Sequence, residues 1–193
     1  MPTLQSMSEY RRNYIQGGTF FLTLVTCDRI PIFSNPENIH KLRVATSTTR
    51  TEMPFEIVGA VVLPEHIHFL WTLPPNDSNY SKRIGRLKVL FTRSLHGKNN
   101  LPQDVSISRQ KHRESNVWQR RFWEHTIRDD EDFVKHLDYI HYNPVKYGLV
   151  SCPHQWEYSS FNKWRDRGVY SVEWCCSCSG KKHQIPNFPQ IQE

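Results

Sequence analysis

The stretch that most restricts the fold is FEIVGAVVLPEHIHFLWTL, residues 55–73, in which two apolar runs are separated only by Pro64 and Glu65. Both runs are rich in β-branched and aromatic side chains, and so short a connection permits only an antiparallel hairpin. The second strand begins His66-Ile67-His68. Side chains at i and i+2 leave a strand on the same side, so both imidazoles project together while Ile67 and Phe69 enter the opposite layer. Histidines so placed are most often half-buried polar positions, but on a stiff backbone they also form half of a metal site. The other half has to come from another element.

Residues 19–27 (TFFLTLVTC) read as a further strand bounded by Gly18 and Asp28. Asn35-Pro36-Glu37 has an N-cap residue followed by proline at the first helical position, which predicts a helix running to about Glu52. A second helix follows the break at Pro74-Pro75, with Tyr80, Ile84, Leu87, Phe91 and Leu95 as its apolar stripe and Lys82, Arg86 and Arg93 on the other side. Residues 97–117 have no period and much charge, as expected of a long basic loop. Residues 118–128 (WQRRFWEHTIR) are aromatic and basic, and their second half fits another short strand.

Asp129 or Asp130 then caps a third helix, with more acid in its first turn. Phe133, Leu137 and Ile140 form its buried stripe, and His136, Tyr139 and Asn143 share one flank of it, whereas Tyr142 points nearly opposite. If this helix packs on the sheet, Tyr139 and Asn143 border the face of His66 and His68. Pro144 disfavours the α conformation of the residue before it, which places Asn143 at the helix end. A phenol becomes a useful nucleophile when a base or positive charge helps to remove its proton. A divalent ion held by two imidazoles and an amide oxygen would polarise a phosphodiester for attack.

The charge balance agrees with a polyanionic partner. The 193 residues carry 25 Lys and Arg against 19 Asp and Glu, a net charge of +6. Tyr10-Arg11-Arg12-Asn13-Tyr14 combines guanidinium groups with rings, which suits phosphate contact and base stacking as well as a solvated arm. There is no apolar run of roughly 18 residues and no hydrophobic centre of a signal peptide near the start, so no membrane association is expected. Five cysteines, Cys27, Cys152, Cys175, Cys176 and Cys178, do not make a secreted disulfide framework and read as free thiols. Cys175 and Cys178, with His183 nearby, have the spacing of half a zinc knot.

Several of these segments match one family in order. YRRNYIQGG, VVLPEHIHFLWTLP, WQRRFWEHTIR, DYIHYNPVKYGLV, WEYSSF and GVYSVEW span most of residues 9–174, and together they resemble the REP-associated tyrosine transposases. These are bacterial members of a superfamily defined by a His-hydrophobe-His motif and a separate, helix-borne tyrosine. The resemblance implies that His66 and His68 bind a catalytic Mg²⁺ or Mn²⁺, that Asn143 is the third ligand and that Tyr139 is the nucleophile. It implies an α+β fold, a ferredoxin-like antiparallel sheet with helices on one face, the histidines on a central strand and the tyrosine on a C-terminal helix. The expected activity is cleavage and rejoining of single-stranded DNA at REP-type hairpins with a GTAG-like tetranucleotide, through a 5′-phosphotyrosine intermediate.

By the same resemblance Arg11, Arg12, Tyr14, Arg120, Arg121 and His125 become candidates for DNA contact, beside the basic stripe of Lys82, Arg86 and Arg93. The expected setting is the bacterial cytoplasm, on the nucleoid, as a monomer rather than a dimer. Residues 1–8 are read as an unstructured extension, 9–174 as the catalytic domain and 175–193 as a tail that matches nothing in the family. Two rivals share the same surface. One is a hairpin-binding protein that does not cleave, and the other is a hydrolase in which the histidines with Asp138 or His125 activate water.

Overall fold

Two neighbouring strands, β1 (Thr19–Val25) and β3 (His66–Thr72), form the centre of a four-stranded antiparallel sheet in the order β2-β3-β1-β4. The outer strands are β2 (Glu56–Val62) and β4 (Trp123–Thr126). The computed structural model describes residues 13–96, 116–178, 186, 188 and 189. Arg11, Arg12, most of the 97–117 loop, His183 and most of the tail lie outside them.

Helix α1 (Pro36–Glu52) joins β1 to β2, and α2 (Tyr80–His96) joins β3 to β4, which with this strand order is the ferredoxin-like arrangement. Asn35 caps α1 by accepting from the Glu37 N–H at 2.9 Å, and Pro36 sits where its missing N–H costs nothing. The β2-β3 hairpin closes through Leu63 N–H to the His66 carbonyl at 2.8 Å. Arg83, 2% exposed, ties the start of α2 to the end of α1 by donating to the Met53 and Pro54 carbonyls and to Asp77.

Phe20, Leu22, Leu24, Ile67, Phe69 and Trp71 pack against α1 and α2 in one core. The alternate residues, Phe21 and Leu70, meet Leu137, Tyr139 and Ile140 of helix α3 (Asp130–Lys146) in a second core. Helices therefore cover both faces, and the expectation of helices on one face holds for α1 and α2 alone. The reason is in the strands: β1 and β3 are buried on both sides, with Phe21, Val25 and Leu70 as apolar members of the face that also carries the histidines, so each face needs a cover. Gly59 of β2 lets α3 approach, since a Cβ there would lie 2.9 Å from Leu137 Cδ1.

The exposed edge of β2 is closed by the chain beyond α3. Val62 N–H donates to the Tyr158 carbonyl, Ser160 N–H donates to the Ala60 carbonyl, and the indoles of Trp156 and Trp164 donate to the Val62 and Val58 carbonyls at 2.9 Å each. Pairing these groups removes the open ladder that would invite another strand. The short helix α4 (Phe161–Asp166) follows, and His141 of α3 hydrogen-bonds the Ser160 hydroxyl at 2.8 Å. Cys152 and Cys176 form a disulfide, which corrects the reading of all five cysteines as free thiols. They are close in space through the return of the tail, which no local spacing reveals. Among the described residues no helix is long and apolar enough to cross a membrane.

Candidate active site

The face of β3 turned towards α3 carries both histidines, and neighbouring groups orient both rings. Register places Thr23 of β1 opposite His68, and Thr23 Oγ1 lies 2.9 Å from His68 Nδ1. His66 Nδ1–H donates to Glu65 Oε1 at 3.0 Å, and Arg29 approaches the same oxygen at 3.5 Å. With Nδ1 engaged in each ring, the atom each presents for ligation is Nε2, and both Nε2 atoms are buried. The rings meet edge to face with centroids 4.8 Å apart. Burial, followed by the charge of Lys146, holds the pKa of His68 down to about 3, so the ring is neutral at physiological pH, as a ligand must be.

Helix α3 supplies the remaining groups. Asp129 caps it by accepting from the Asp132 N–H at 2.8 Å, and three acidic residues occupy its first turn. Tyr139 is 3% exposed, and its ring centroid lies 5.4 Å from that of His68. One turn on, Asn143 is fully buried; its Nδ2 donates to the Tyr139 carbonyl at 2.7 Å, and its Oδ1 is left buried with no hydrogen-bond partner. A buried amide oxygen without a donor is costly unless something else satisfies it. The groups gathered there are two imidazoles and an amide oxygen, a mixed nitrogen and oxygen set that could hold a divalent ion such as Mn²⁺, with Mg²⁺ relying on oxygens of the substrate for its remaining positions.

The helix does not stop at Asn143. It runs through Pro144 to Lys146 and ends at Gly148, whose φ of 66° is the left-handed conformation suited to a helix end. The side chain of Asn143 adds a bond to the Tyr139 carbonyl in the turn just before the proline, and Tyr147 N–H donates to the Asn143 carbonyl in the turn after it. The extra turn brings Lys146 over Tyr139. Its Nζ donates to the phenol oxygen at 3.0 Å and lies 4.9 Å from the ring centroid. Burial lowers the pKa of Lys146, so an ammonium here is less well hydrated than one in water.

Sequence reasoning passed over Lys146, Thr23 and Glu65. The first was legible: seven residues are two helical turns, so Lys146 had to share the face of Tyr139. Thr23 becomes visible only with the β1-β3 register. Tyr142 stacks on Phe188, with ring centroids 4.9 Å apart.

A second cluster adjoins the first. His136, 1% exposed, lies one turn before Tyr139; its Nδ1–H donates to the Asp132 carbonyl at 2.8 Å, its ring stacks on His125 at 4.5 Å, and its Nε2 is buried without a partner. Burial tends to raise the Asp132 carboxyl, but hydrogen bonds from His125 and Arg128 outweigh it and hold the pKa at about 2. Trp123, His125, Arg128, Asp132, Lys135 and His136 line a cavity of about 310 Å³ there.

The other expected DNA contacts are scattered. Lys82, Arg86 and Arg93 sit on α2, across the sheet from the histidines, and Arg86 is engaged by Glu52 in a two-pronged pair at 2.7 Å. Tyr14 is exposed and stacks on Tyr80 at 5.3 Å, while Arg120 and Arg121 are exposed just before β4. His125 is turned to Asp132, at 2.8 Å. Asp138, the alternative water-activating group, accepts from the Tyr170 hydroxyl at 2.7 Å.

Comparison with known proteins follows the same lines. Residues 10–143 match the family described as Transposase IS200 like. The chain is 40% identical over 168 residues to the REP-associated tyrosine transposase of Escherichia coli strain K12, covering 87% of this chain and 91% of that one. A Haemophilus influenzae protein of the same designation is 46% identical over 168 residues, covering 87% of this chain and 93% of the relative. A solved structure of a REP-associated tyrosine transposase bound to a REP hairpin superposes with a TM-score of 0.73 at 37% identity, over 97% of this chain and 100% of that one.

Proposed function

Because the chain belongs to the IS200-like transposases, and among them to the REP-associated tyrosine transposases, we propose that it cuts and rejoins single-stranded DNA at hairpin-forming repeats with Tyr139 as nucleophile. The observation that carries this reading is the convergence on one buried face of two oriented imidazoles, an amide oxygen without a donor and a phenol held by a cation. The solved relative in complex with a REP hairpin supports DNA hairpins as the substrate class.

His66, His68 and Asn143 would hold a divalent ion, which when bound supplies Lewis-acid polarisation of the scissile phosphate. The Tyr139 oxygen attacks phosphorus, the phenol proton is lost, the bond from phosphorus to the 3′ oxygen breaks, and that oxygen leaves as a hydroxyl after taking a proton. The 5′ phosphate stays on Tyr139. Lys146 stabilises the negative charge that grows on the phenol oxygen as its proton departs, through the hydrogen bond it already makes. One phosphoester replaces another, so a 3′ hydroxyl can reverse the step and seal a strand without ATP. The cavity beside His136 offers Trp123 for stacking a base that flanks the break, and Arg128 and Lys135, paired with Asp132 and Glu131, would turn to a phosphate there only by exchanging those partners.

Incubation with end-labelled hairpin DNA and Mn²⁺, followed by a denaturing gel, tests the reading. A protein-linked fragment is expected from wild type and Tyr142→Phe and not from Tyr139→Phe. Hairpin binding with no linked fragment from wild type would establish the non-cleaving alternative. Free 5′-phosphate ends that survive Tyr139→Phe would establish a hydrolase.

A further inference from the structure

Three sulfurs away from the proposed catalytic face converge where the tail returns to the end of α3. Cys152 and Cys176 are buried and Cys178 is exposed, and their Sγ atoms all lie within 4.8 Å of one another, with Cys178 Sγ 3.2 Å from Cys152 Sγ. The backbone fixes the two segments side by side. Ser177 N–H and Oγ both donate to the Ser151 carbonyl, at 2.8 and 3.1 Å, and Gln155 Oε1 accepts from the N–H groups of Ser151 and Cys152 at 3.1 and 3.0 Å.

A disulfide accounts for two of the three. Cys152 and Cys176 are bonded, yet the Cys178 thiol is held against the same Cys152 sulfur. Around a tetrahedral zinc ion, with zinc to sulfur distances near 2.3 Å, thiolate sulfurs stand roughly 3.8 Å apart, which is the scale of this cluster. No carboxylate or imidazole of the described residues joins the group, and a set of thiolates alone selects soft or borderline ions over Mg²⁺ or Mn²⁺.

We propose that Cys152, Cys176 and Cys178 in their reduced form hold one zinc ion, with the fourth position open on the exposed Cys178 side. The Cys152–Cys176 disulfide is the oxidised form of the same site; an external disulfide such as oxidised glutathione takes up the two electrons and two protons when it forms. Reduction regenerates the thiols and zinc displaces their protons. The ion pins residues 171–178 against the turn that follows α3. Its donors are separate from His66, His68 and Asn143, so the site stands or falls independently of the nucleophile.

The test uses the full chain, freed of metal and kept in a thiol-free reductant, titrated with cobalt(II) and then with zinc. Sulfur-to-cobalt charge-transfer absorption should saturate at one equivalent and be bleached by zinc. It should be lost in Cys178→Ser, whose exposed position spares the core, and retained in the double variant His66→Ala, His68→Ala. Zinc should also slow alkylation of Cys178 in wild type. Absence of the charge-transfer band from the reduced wild type, or a band of undiminished intensity in Cys178→Ser, overturns the proposal.

Discussion

The Nζ of Lys146 donates a 3.0 Å hydrogen bond to the hydroxyl of Tyr139, from two turns further along the same helix. A cation held on the phenol oxygen favours the form in which that oxygen carries negative charge, and a partly dehydrated ammonium does so more strongly than one in bulk water. Lys146→Met is therefore expected to slow formation of the protein-DNA adduct about 100-fold, with hairpin affinity changed much less. Lys146→Arg should recover part of the rate. Single-turnover cleavage measured beside a binding titration separates the two effects, and equal losses in both would show that Lys146 serves only to hold DNA.

Thr23 and His68 pair across the two central strands, and that bond orients the ring. Thr23→Val keeps the shape and removes the hydroxyl. Loss of an orienting partner of this kind weakens metal binding by about 10–100-fold, so calorimetric titration with Mn²⁺ should show a shift of that size with little change in melting temperature. Chelation of divalent ions should abolish the adduct while leaving hairpin binding in place.

His141 is fully buried between α3 and the segment that covers β2, and burial holds its pKa down at about 3, against 6.5 for the free side chain. Below 6.5 the unfolded chain takes up a proton that the folded chain refuses, so stability is full above that pH and falls as pH drops from 6.5 towards 3. The loss is roughly 1 kcal/mol per pH unit for each such histidine. His68 adds a loss of the same sign. Urea unfolding in EDTA at about pH 7.5 and about pH 5.5 should show a smaller drop for His141→Gln than for wild type. Identical drops would remove His141 from the account.

Gly59 of β2 lies close under α3, with Leu137 and Ile140 both within contact of the position a Cβ would take. Gly59→Val overfills the second core and should cost about 1–3 kcal/mol, read as a lower urea midpoint. Gly59→Ala should cost less, because the atom it meets is the mobile end of a leucine. Because Leu137 and Tyr139 belong to the same helix, adduct formation should fall as well, in proportion to the shift of α3.

Local rules read much of this architecture directly. The Asn35-Pro36 start of α1, the stripe of α2, the two-residue turn before His66 and the capping role of Asp129 each rest on a few adjacent residues. The shared flank of Tyr139 and Asn143 came from helical period alone. What local rules missed depends on distant partners. Thr23 meets His68 only through strand register, the helix continues past Pro144 to Lys146 against the local preference, and the sulfurs of Cys152 and Cys176 come together only when the tail returns. The second cover of the sheet follows from apolar residues on both sides of the central strands, Phe21 and Leu70 among them, but which helix provides it depends on the path of the whole chain.

The family match ends at residue 143, yet the seat of α3 is built partly from what comes after. Trp156 and Trp164 bolt the rim of β2, and Ser160, between them, reaches both Ala60 and His141. A fragment trimmed to the matched region would keep every proposed ligand and the tyrosine but lose the brace that sets their mutual distance. Any attempt to define a minimal active unit has to begin by retaining those indoles.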